Sequence, residues 1–451
     1  MREKFQKNIF PKLQPVQIIT GFYFLAVTVS TVLLSLPFVR KDGVPWSFSD
    51  ALFTAVSAVS VTGLTTVNIH ETFTAAGLWI LIFVLQIGGI GIMALGTLFW
   101  LFFRKKIGLQ TRRLIMTEQN QTNLSGLVRL LRDVAVIFII IEIAGAIVLG
   151  TYYLKQYTSW QEAYFHGLFS AASATTNAGF DITGTSLITF ADDYFVQTVH
   201  MILIILGAIG FPVWIELKNF LFRRKENFHF SLFTKVTVLF YFILVLAGAL
   251  LFLLFEWSDF LADKKMHEAI FYAFFHSVSA RSAGFTTMDL SGISGAGMIL
   301  LSGLMFIGAS PSSVGGGIRT TTFAVNLLFL YHFARGNRSI KIFKREIHDE
   351  DILKSFVVLI FGVMICFTAV LFICFFEKNL PVAAVVFEVC SAFGTAGMSL
   401  GITAEMTLAG KIVLMILMFI GRVGILTFIF IIGGKEEKEN FHYPKERIII
   451  G

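Results

Sequence analysis

Four stretches of this chain repeat one short pattern: LFTAVSAVSVTGL at 52–64, FSAASATTNAGF at 169–180, FHSVSARSAGF at 275–285 and FEVCSAFGTAGM at 387–398. Each is rich in Ser, Thr and Ala and ends at a single glycine: Gly63, Gly179, Gly284 and Gly397. Ten residues before each glycine stands a phenylalanine: Phe53, Phe169, Phe274 and Phe387. One such glycine would be an ordinary turn between helices. Four in register, with the phenylalanine in step and apolar runs on either side, are an internal repeat.

Composition sets the medium. Of 451 residues 56% are hydrophobic and 14% charged, and mean hydropathy is +0.77, the profile of a membrane chain. Fifty phenylalanines suit a surface that meets lipid. The segment 1–14 is basic and polar, and no cleavable signal peptide is expected. Cys366, Cys374 and Cys390 lie in apolar surroundings, which argues against a disulfide framework or a cysteine metal site. Of the 36 Lys and Arg, 26 fall in the stretches 2–12, 104–132, 218–235, 335–354 and 435–447. Seven lie in the alternate loops, and three (Arg281, Arg319, Arg422) lie near or inside the apolar runs. The positive-inside rule then places the five basic stretches and both termini in the cytoplasm. The net charge of +7 reflects this topology, and with no long soluble domain nucleic-acid binding is not expected.

Apolar runs long enough to cross a bilayer are expected near 16–38, 78–103, 132–154, 196–222, 233–255, 298–334, 353–376 and 410–433. The phrases fall in shorter segments between them, near 48–60, 161–176, 267–281 and 381–394, too short and polar to span. The expected fold is an all-α membrane protein: four covalently linked helix–pore-helix–helix repeats, with eight transmembrane helices and four re-entrant pore helices in a pseudo-fourfold pore. The organisation reads as a cytoplasmic segment 1–15, repeat 1 at 16–103, a linker at 104–131, repeat 2 at 132–222, repeat 3 at 223–334, a linker at 335–352, repeat 4 at 353–433 and a cytoplasmic tail at 434–451. Every repeat starts and ends inside, unlike the inverted repeats of many carriers. The second spans share QIGGIG at 86–91, LGAIG at 206–210, IGAS at 307–310 and IGRVG at 420–424, and close helix packing alone would account for Gly88 and Gly207.

A cation entering such a pore must exchange water for protein oxygen. Inward-pointing carbonyls can supply it, and glycine permits the dihedrals this demands. The filter walls are therefore read as Val61, Thr62, Gly63 and Leu64; Asn177, Ala178, Gly179 and Phe180; Ser282, Ala283, Gly284 and Phe285; and Thr395, Ala396, Gly397 and Met398. Transported K+ would meet the carbonyls of Thr62, Gly63, Ala178, Gly179, Ala283, Gly284, Ala396 and Gly397. The negative ends of the preceding helices would favour it. No ring of Asp or Glu occupies the phrases, so selectivity falls to backbone oxygen and a Ca2+ pore is disfavoured. Arg281 is read as a contact to a helix end or neighbouring loop.

The sixth span is too long. The 37 residues 298–334 would make roughly 55 Å of helix against a core of about 30 Å. The interruption is Gly308-Ala309-Ser310-Pro311-Ser312-Ser313-Val314-Gly315-Gly316-Gly317-Ile318, where proline and three glycines disfavour helix. We read this loop as a gate below the filter; the alternative is a fixed kink. Arg422, eleven residues into the last span from Lys411, needs partners at that depth, and the freed loop carbonyls are the natural ones. Arg319 closes the loop on its cytoplasmic side, and Glu142 in the third span reads as a structural pair. His166 and His276 flank the pore helices as hydrogen-bonded structural residues. An intramembrane enzyme finds no support: there are no paired intramembrane aspartates, no Ser–His dyad on facing helices and no HExxH.

The chain resembles the Trk/Ktr/HKT potassium transporter superfamily and is most similar to the membrane subunit of bacterial Ktr systems. The resemblance covers essentially the whole length. It is carried by VTGLTT at 61–66, TTNAGF at 175–180, ARSAGFTT at 280–287, GTAGMS at 394–399 and SPSSVGGGIRTTT at 310–322. It implies that the four glycines line a filter, that residues 308–318 form the gating loop and that Arg422 is the family's deep arginine. Plant relatives with serine at the first filter position pass Na+ more readily, so Gly63 implies K+ selectivity. Ala309 and Ser312 stand where glycines are frequent in the loop. The resemblance further implies channel-like K+ uptake at the plasma membrane, with Na+ as activator, or else a Na+- or H+-coupled carrier. It implies a homodimer on a cytoplasmic octameric ring that binds nucleotide; the chain itself is expected to hold no cofactor. The tail 447–451 is expected at the dimer interface.

Overall fold

The computed structural model describes residues 15–91, 127–222, 228–337 and 339–433, with the isolated positions 112, 116, 444, 446 and 448. The tail 447–451, expected at a dimer interface, and the far half of the span 78–103 lie outside the described residues apart from Ile448.

Long helices begin each quarter of the chain: α1 (Pro15–Leu34), α4 (Leu127–Tyr153), α8 (Leu232–Glu256) and α12 (Asp349–Phe376). These are the helices long and apolar enough to cross a membrane among the described residues. One side of each faces outward with exposed apolar side chains, such as Phe24, Ile140, Leu250 and Phe367. Each long helix is followed by a short one: α2 (Phe48–Ser60), α5 (Trp160–Thr175), α9 (Met266–Ser279) and α13 (Val382–Gly394). The short helices agree with the expected segments to within two residues at each end. Polar caps define the starts of α2 and α5, whereas α13 begins directly after Pro381 with no side-chain cap. Ser47 and Asp50 form a capping box on α2, and the Ser159 hydroxyl accepts from Glu162 N on α5. His166 and His276 lie inside α5 and α9 rather than flanking them, because these helices begin several residues upstream.

The second spans are corrected. Only 298–334 is expected to break, yet breaks occur in the others too. The run 196–222 is two helices, α6 (Tyr194–Ala208) and α7 (Phe211–Phe222), bent by 100°. The run 410–433 divides into α14 (Leu408–Val423) and α15 (Ile425–Gly433), and α3 (Ala75–Ile90) stops at Gly91. The break falls on the last glycine of the shared motif: φ is +96° at Gly91, +99° at Gly210 and +93° at Gly424, a backbone that side chains rarely tolerate. The expected interruption in repeat 3 separates α10 (Gly295–Ile307) from α11 (Thr320–Ala334). A hairpin of two-residue strands, β1 (Lys341–Ile342) and β2 (Arg345–Glu346), was not anticipated in the linker 335–352.

The short helices pack in a closed cycle. Besides contacts within its own quarter, α5 packs on α3, α9 on α6, α13 on α10, and α2 on α14, which joins the last quarter to the first. Close approach explains the small residues there. A side chain at Gly207 would strike the Thr175 carbonyl at the end of α5, and one at Gly88 the Val59 carbonyl in α2.

Candidate functional site

The C-termini of the four short helices run directly into the four glycine turns, and the turns meet in a ring. A Cβ on Gly63 would fall on the Ala178 carbonyl oxygen, one on Gly179 on Ala283 O, one on Gly284 on Ala396 O, and one on Gly397 on Thr62 O. All four approaches are closer than 3.0 Å, and they close a cycle through the four quarters. Glycine is required here on a second count, because φ is +94°, +66°, +73° and +87° in chain order. The four glycines jointly line a cavity of about 470 Å³ with Asp181, Asp289 and Ser399 among its walls.

Hydrogen bonding divides the turn backbone into used and unused groups. The amides of Thr62, Ala178, Ala283 and Ala396 donate to the carbonyls of Ser57, Ser173, Ser279 and Ser391 at 2.8–2.9 Å. Those serines also brace the turns with their hydroxyls. Ser57 Oγ and Ser391 Oγ accept from Gly63 N and Gly397 N, both at 3.1 Å. Ser173 Oγ donates to Phe180 O at 2.7 Å, and Ser279 Oγ to Phe285 O at 2.6 Å. By contrast, the carbonyls of Thr62, Gly63, Ala178, Gly179, Ala283, Gly284, Ala396 and Gly397 accept no hydrogen bond from the described residues. Eight such oxygens around one ring call for a partner beyond the described residues.

The remaining members of the expected walls have other duties. Leu64, Phe180, Phe285 and Met398 are buried and pack into the hydrophobic core. Val61, Asn177 and Thr395 adopt left-handed backbone, with φ of +57°, +53° and +48°, turning each helix end toward the ring. Ser282, their counterpart, does not. Glu388 and the bracing serines were not singled out from sequence. Fully buried in α13, Glu388 accepts from Ser399 Oγ at 2.5 Å, Thr403 Oγ1 at 2.8 Å and Leu400 N at 3.1 Å, which fixes the segment beyond Gly397. A serine six residues before Gly63, Gly179 and Gly397 was the available signal.

The Gly-rich loop lies against the helix side of these turns and is largely buried. A Cβ on Gly315 would meet Ser282, and one on Gly316 the Thr395 side chain. The loop is held through backbone. Ser310 N donates to Ala208 O at 3.1 Å, Val314 N to Gly207 O at 3.3 Å, and Phe211 N to Ser312 O at 2.8 Å. Ser312 takes a left-handed φ of +54°, a backbone that glycine adopts more readily. Pro311 O lies close to Gly210, at the bend between α6 and α7. All three arginines near the apolar runs reach loop carbonyls. Arg422 donates to Val314 O and to Gly88 O, Arg319 to Gly315 O, and Arg281 to Gly308 O. The expected partnership of Arg422 with the loop is thus observed, and so is a loop contact for Arg281. Gln86 Nε2 donates to Glu142 Oε1 at 2.6 Å, the structural pairing expected of that acid. His166 bonds Tyr157 at 3.0 Å, and His276 bonds Tyr272 O at 2.8 Å.

A scaffold of helices long and apolar enough to cross a membrane, around a ring of carbonyls that accept no hydrogen bond among the described residues, has the form of a cation transporter, and the relatives bear on that class. Residues 4–442 match the family described as TrkH, cation transport protein. The chain is 55% identical to Ktr system potassium uptake protein D of Bacillus subtilis, over the full length of both. It is 33% identical to potassium/sodium uptake protein NtpJ of Enterococcus hirae, covering 99% of each chain. It is 35% identical to Ktr system potassium uptake protein B of Bacillus subtilis, covering 98% of this chain and 97% of that one. The crystal structure of the potassium transporter TrkH from Vibrio parahaemolyticus superposes with a TM-score of 0.71 at 18% identity, covering 94% of this chain and 86% of that one, and so shares its fold. The chain belongs to the TrkH family of cation transport proteins.

Proposed function

We propose that the protein is the membrane subunit of a Ktr-type system and carries out potassium-selective uptake across the plasma membrane. In this reading residues 16–103, 132–222, 223–334 and 353–433 are four pore repeats around one axis. The four glycine turns are the selectivity filter, and residues 308–317 with Arg422 are the gate. The observation that carries the reading is the set of eight ring carbonyls that accept no hydrogen bond among the described residues. Such oxygens can replace the hydration shell of K+. The names of the relatives, potassium uptake proteins D and B, support the choice of ion.

Uptake is driven by the membrane potential through a channel-like path, with Na+ as an activator. The relative named for potassium and sodium favours a second reading, a carrier coupled to Na+ or H+ on the same fold. Saturation of flux and the reversal potential in liposomes separate the two. The partners we propose are a second copy of the chain and a cytoplasmic octameric ring that binds the nucleotide, with no cofactor in this chain. Both termini then face the cytoplasm. Deleting 447–451 should weaken the dimer, and a dimer intact by light scattering would count against that role. The central test is K+ against Na+ uptake by purified protein in liposomes. Selective K+ uptake is expected, and equal uptake of both ions would overturn the filter.

A further inference from the structure

The third turn carries a charge that the ring does not use. Arg281 is fully buried, three residues before Gly284. Its Nε and Nη2 donate to Gly308 O at 3.1 and 2.5 Å. Nη2 also reaches Thr320 Oγ1 at 2.7 Å, and Nη1 reaches Tyr241 O in α8 at 3.2 Å. The guanidinium sits 4.5 Å over the Tyr241 ring. Gly308 opens the loop and Thr320 begins α11, so one side chain holds both roots. The roots are also joined directly, since Thr320 N donates to Ala309 O and Ile318 N to Phe306 O, each at 3.1 Å.

We propose that Arg281 is a positioning residue that couples the loop to the third filter turn, a role that rests on reading the loop as the gate. Its backbone belongs to the turn and its side chain to the loop roots. A buried guanidinium loses its hydration, and only the planar fork satisfies these three elements at once. Movement of either root therefore breaks charge-assisted bonds and pulls on the backbone beside Gly284. The middle of the loop is held separately, by Arg422 from α14 and by Arg319. Arg281 thus restrains the two roots, while Arg422 and Arg319 restrain the stretch between them. Arg422 controls whether the loop opens. Arg281 sets where the loop ends and the filter turn stand relative to one another.

The two arginines then have distinguishable phenotypes in purified, reconstituted full-length protein. Arg281→Gln is expected to raise unstimulated K+ uptake and to lower the K+/Na+ uptake ratio about tenfold, the scale set by losing a charged hydrogen bond. Arg281→Lys, which keeps the charge but not the fork, should fall between wild type and Arg281→Gln. Thr320→Val removes the Arg281 side-chain bond to that root, leaves the backbone bond from Thr320 N to Ala309 O, and should raise K+ uptake with the ratio unchanged. A folded Arg281→Gln protein, melting as wild type, with a wild-type ratio would overturn the proposal. If Arg281→Gln does not fold, a wild-type ratio in Arg281→Lys together with wild-type uptake in Thr320→Val overturns it. Arg422→Ala run alongside tests the gate itself. Unchanged uptake there refutes the gate reading, while a lowered ratio in Arg281→Gln would still support coupling of Arg281 to the filter.

Discussion

Substituting Gly63 by serine tests the ring at a single point. The backbone at Gly63 has φ +94°, and an L-residue held left-handed costs roughly 1–2 kcal/mol. The new Cβ also falls on the Ala178 carbonyl oxygen, closer than 3.0 Å. A flexible side chain could swing aside, but this neighbour is backbone, fixed by the bond from Ala178 N to Ser173 O at 2.8 Å. Forcing extra atoms into a packed site costs about 1–3 kcal/mol. The strain is relieved by moving the oxygens proposed to bind the ion. If about 1.4 kcal/mol of it passes into the difference between K+ and Na+ binding, selectivity falls about tenfold. The assay is parallel K+ and Na+ uptake into proteoliposomes, with thermal melting to show that the variant is folded. Gly43 provides the control. It has a similar φ of +81° but nothing within 4 Å of an added Cβ, so Gly43→Ala carries the backbone strain without the ring contact and should keep wild-type selectivity. A folded Gly63→Ser protein with the wild-type ion ratio would refute the reasoning.

Arg422→Ala removes the donors to Val314 O and Gly88 O, bonds worth roughly 1.5–3 kcal/mol when charged. Unstimulated K+ flux should rise tenfold or more on the scale of about 1.4 kcal/mol per decade, with the K+/Na+ ratio kept; unchanged flux sinks the gate. Glu388→Gln keeps the shape but leaves one acceptor oxygen for Ser399 and Leu400 and turns its NH2 toward the Thr403 hydroxyl, so melting should fall by the equivalent of about 1–3 kcal/mol and selectivity should drop. Melting at the wild-type temperature would show that the carboxylate does not hold the turn. Asp181, in the loop beyond the second turn, is raised in pKa by burial, against hydrogen bonds from Thr183, Ser186 and Gly184. A raised folded pKa means that its stabilisation is complete below the unfolded value and is lost as pH rises through the folded one. Its charge at the cavity mouth disappears at a higher pH than for a free aspartate, so acidifying the outside should weaken K+ uptake. Asp181→Asn should flatten that limb, and an identical acid limb in both proteins would exclude Asp181 as its source.

The sequence was most legible where one physical demand repeats. The short helices and the ring glycines were readable because four copies of the same turn need the same glycine. The long first helices were equally plain from their apolar length. The breaks at Gly91, Gly210 and Gly424 are not legible from their shared motif, because helix packing also selects glycine and only the backbone dihedral separates the two demands. Glu388 escaped because a single acid in an apolar segment has no periodicity, and its partners lie 11–15 residues away in the chain. The partners of Arg281 lie 27–40 residues away in three elements, a relation that only tertiary structure brings together.

The departure from symmetry is concentrated in one quarter. Val61, Asn177 and Thr395 turn their helix ends through left-handed backbone, and Ser282 does not. In the third turn the amides of Ala283 and Gly284 both fold back on Ser279 O, at 2.8 and 3.1 Å, and continue the helix by one tight turn. That geometry leaves Arg281 beneath the turn, facing the loop roots. The same quarter carries the loop, and the loop touches Ser282 directly. A fourfold ring of equal walls could select an ion but would have no reason to favour one side for control. Among the described contacts the loop meets the turns at two walls, Ser282 of the third and, through Gly316, Thr395 of the fourth, so a loop acting as the proposed gate would reach the ring from that side. On this argument substitutions in the first and second turns should alter selectivity with gating intact, whereas changes at Arg281 should alter both.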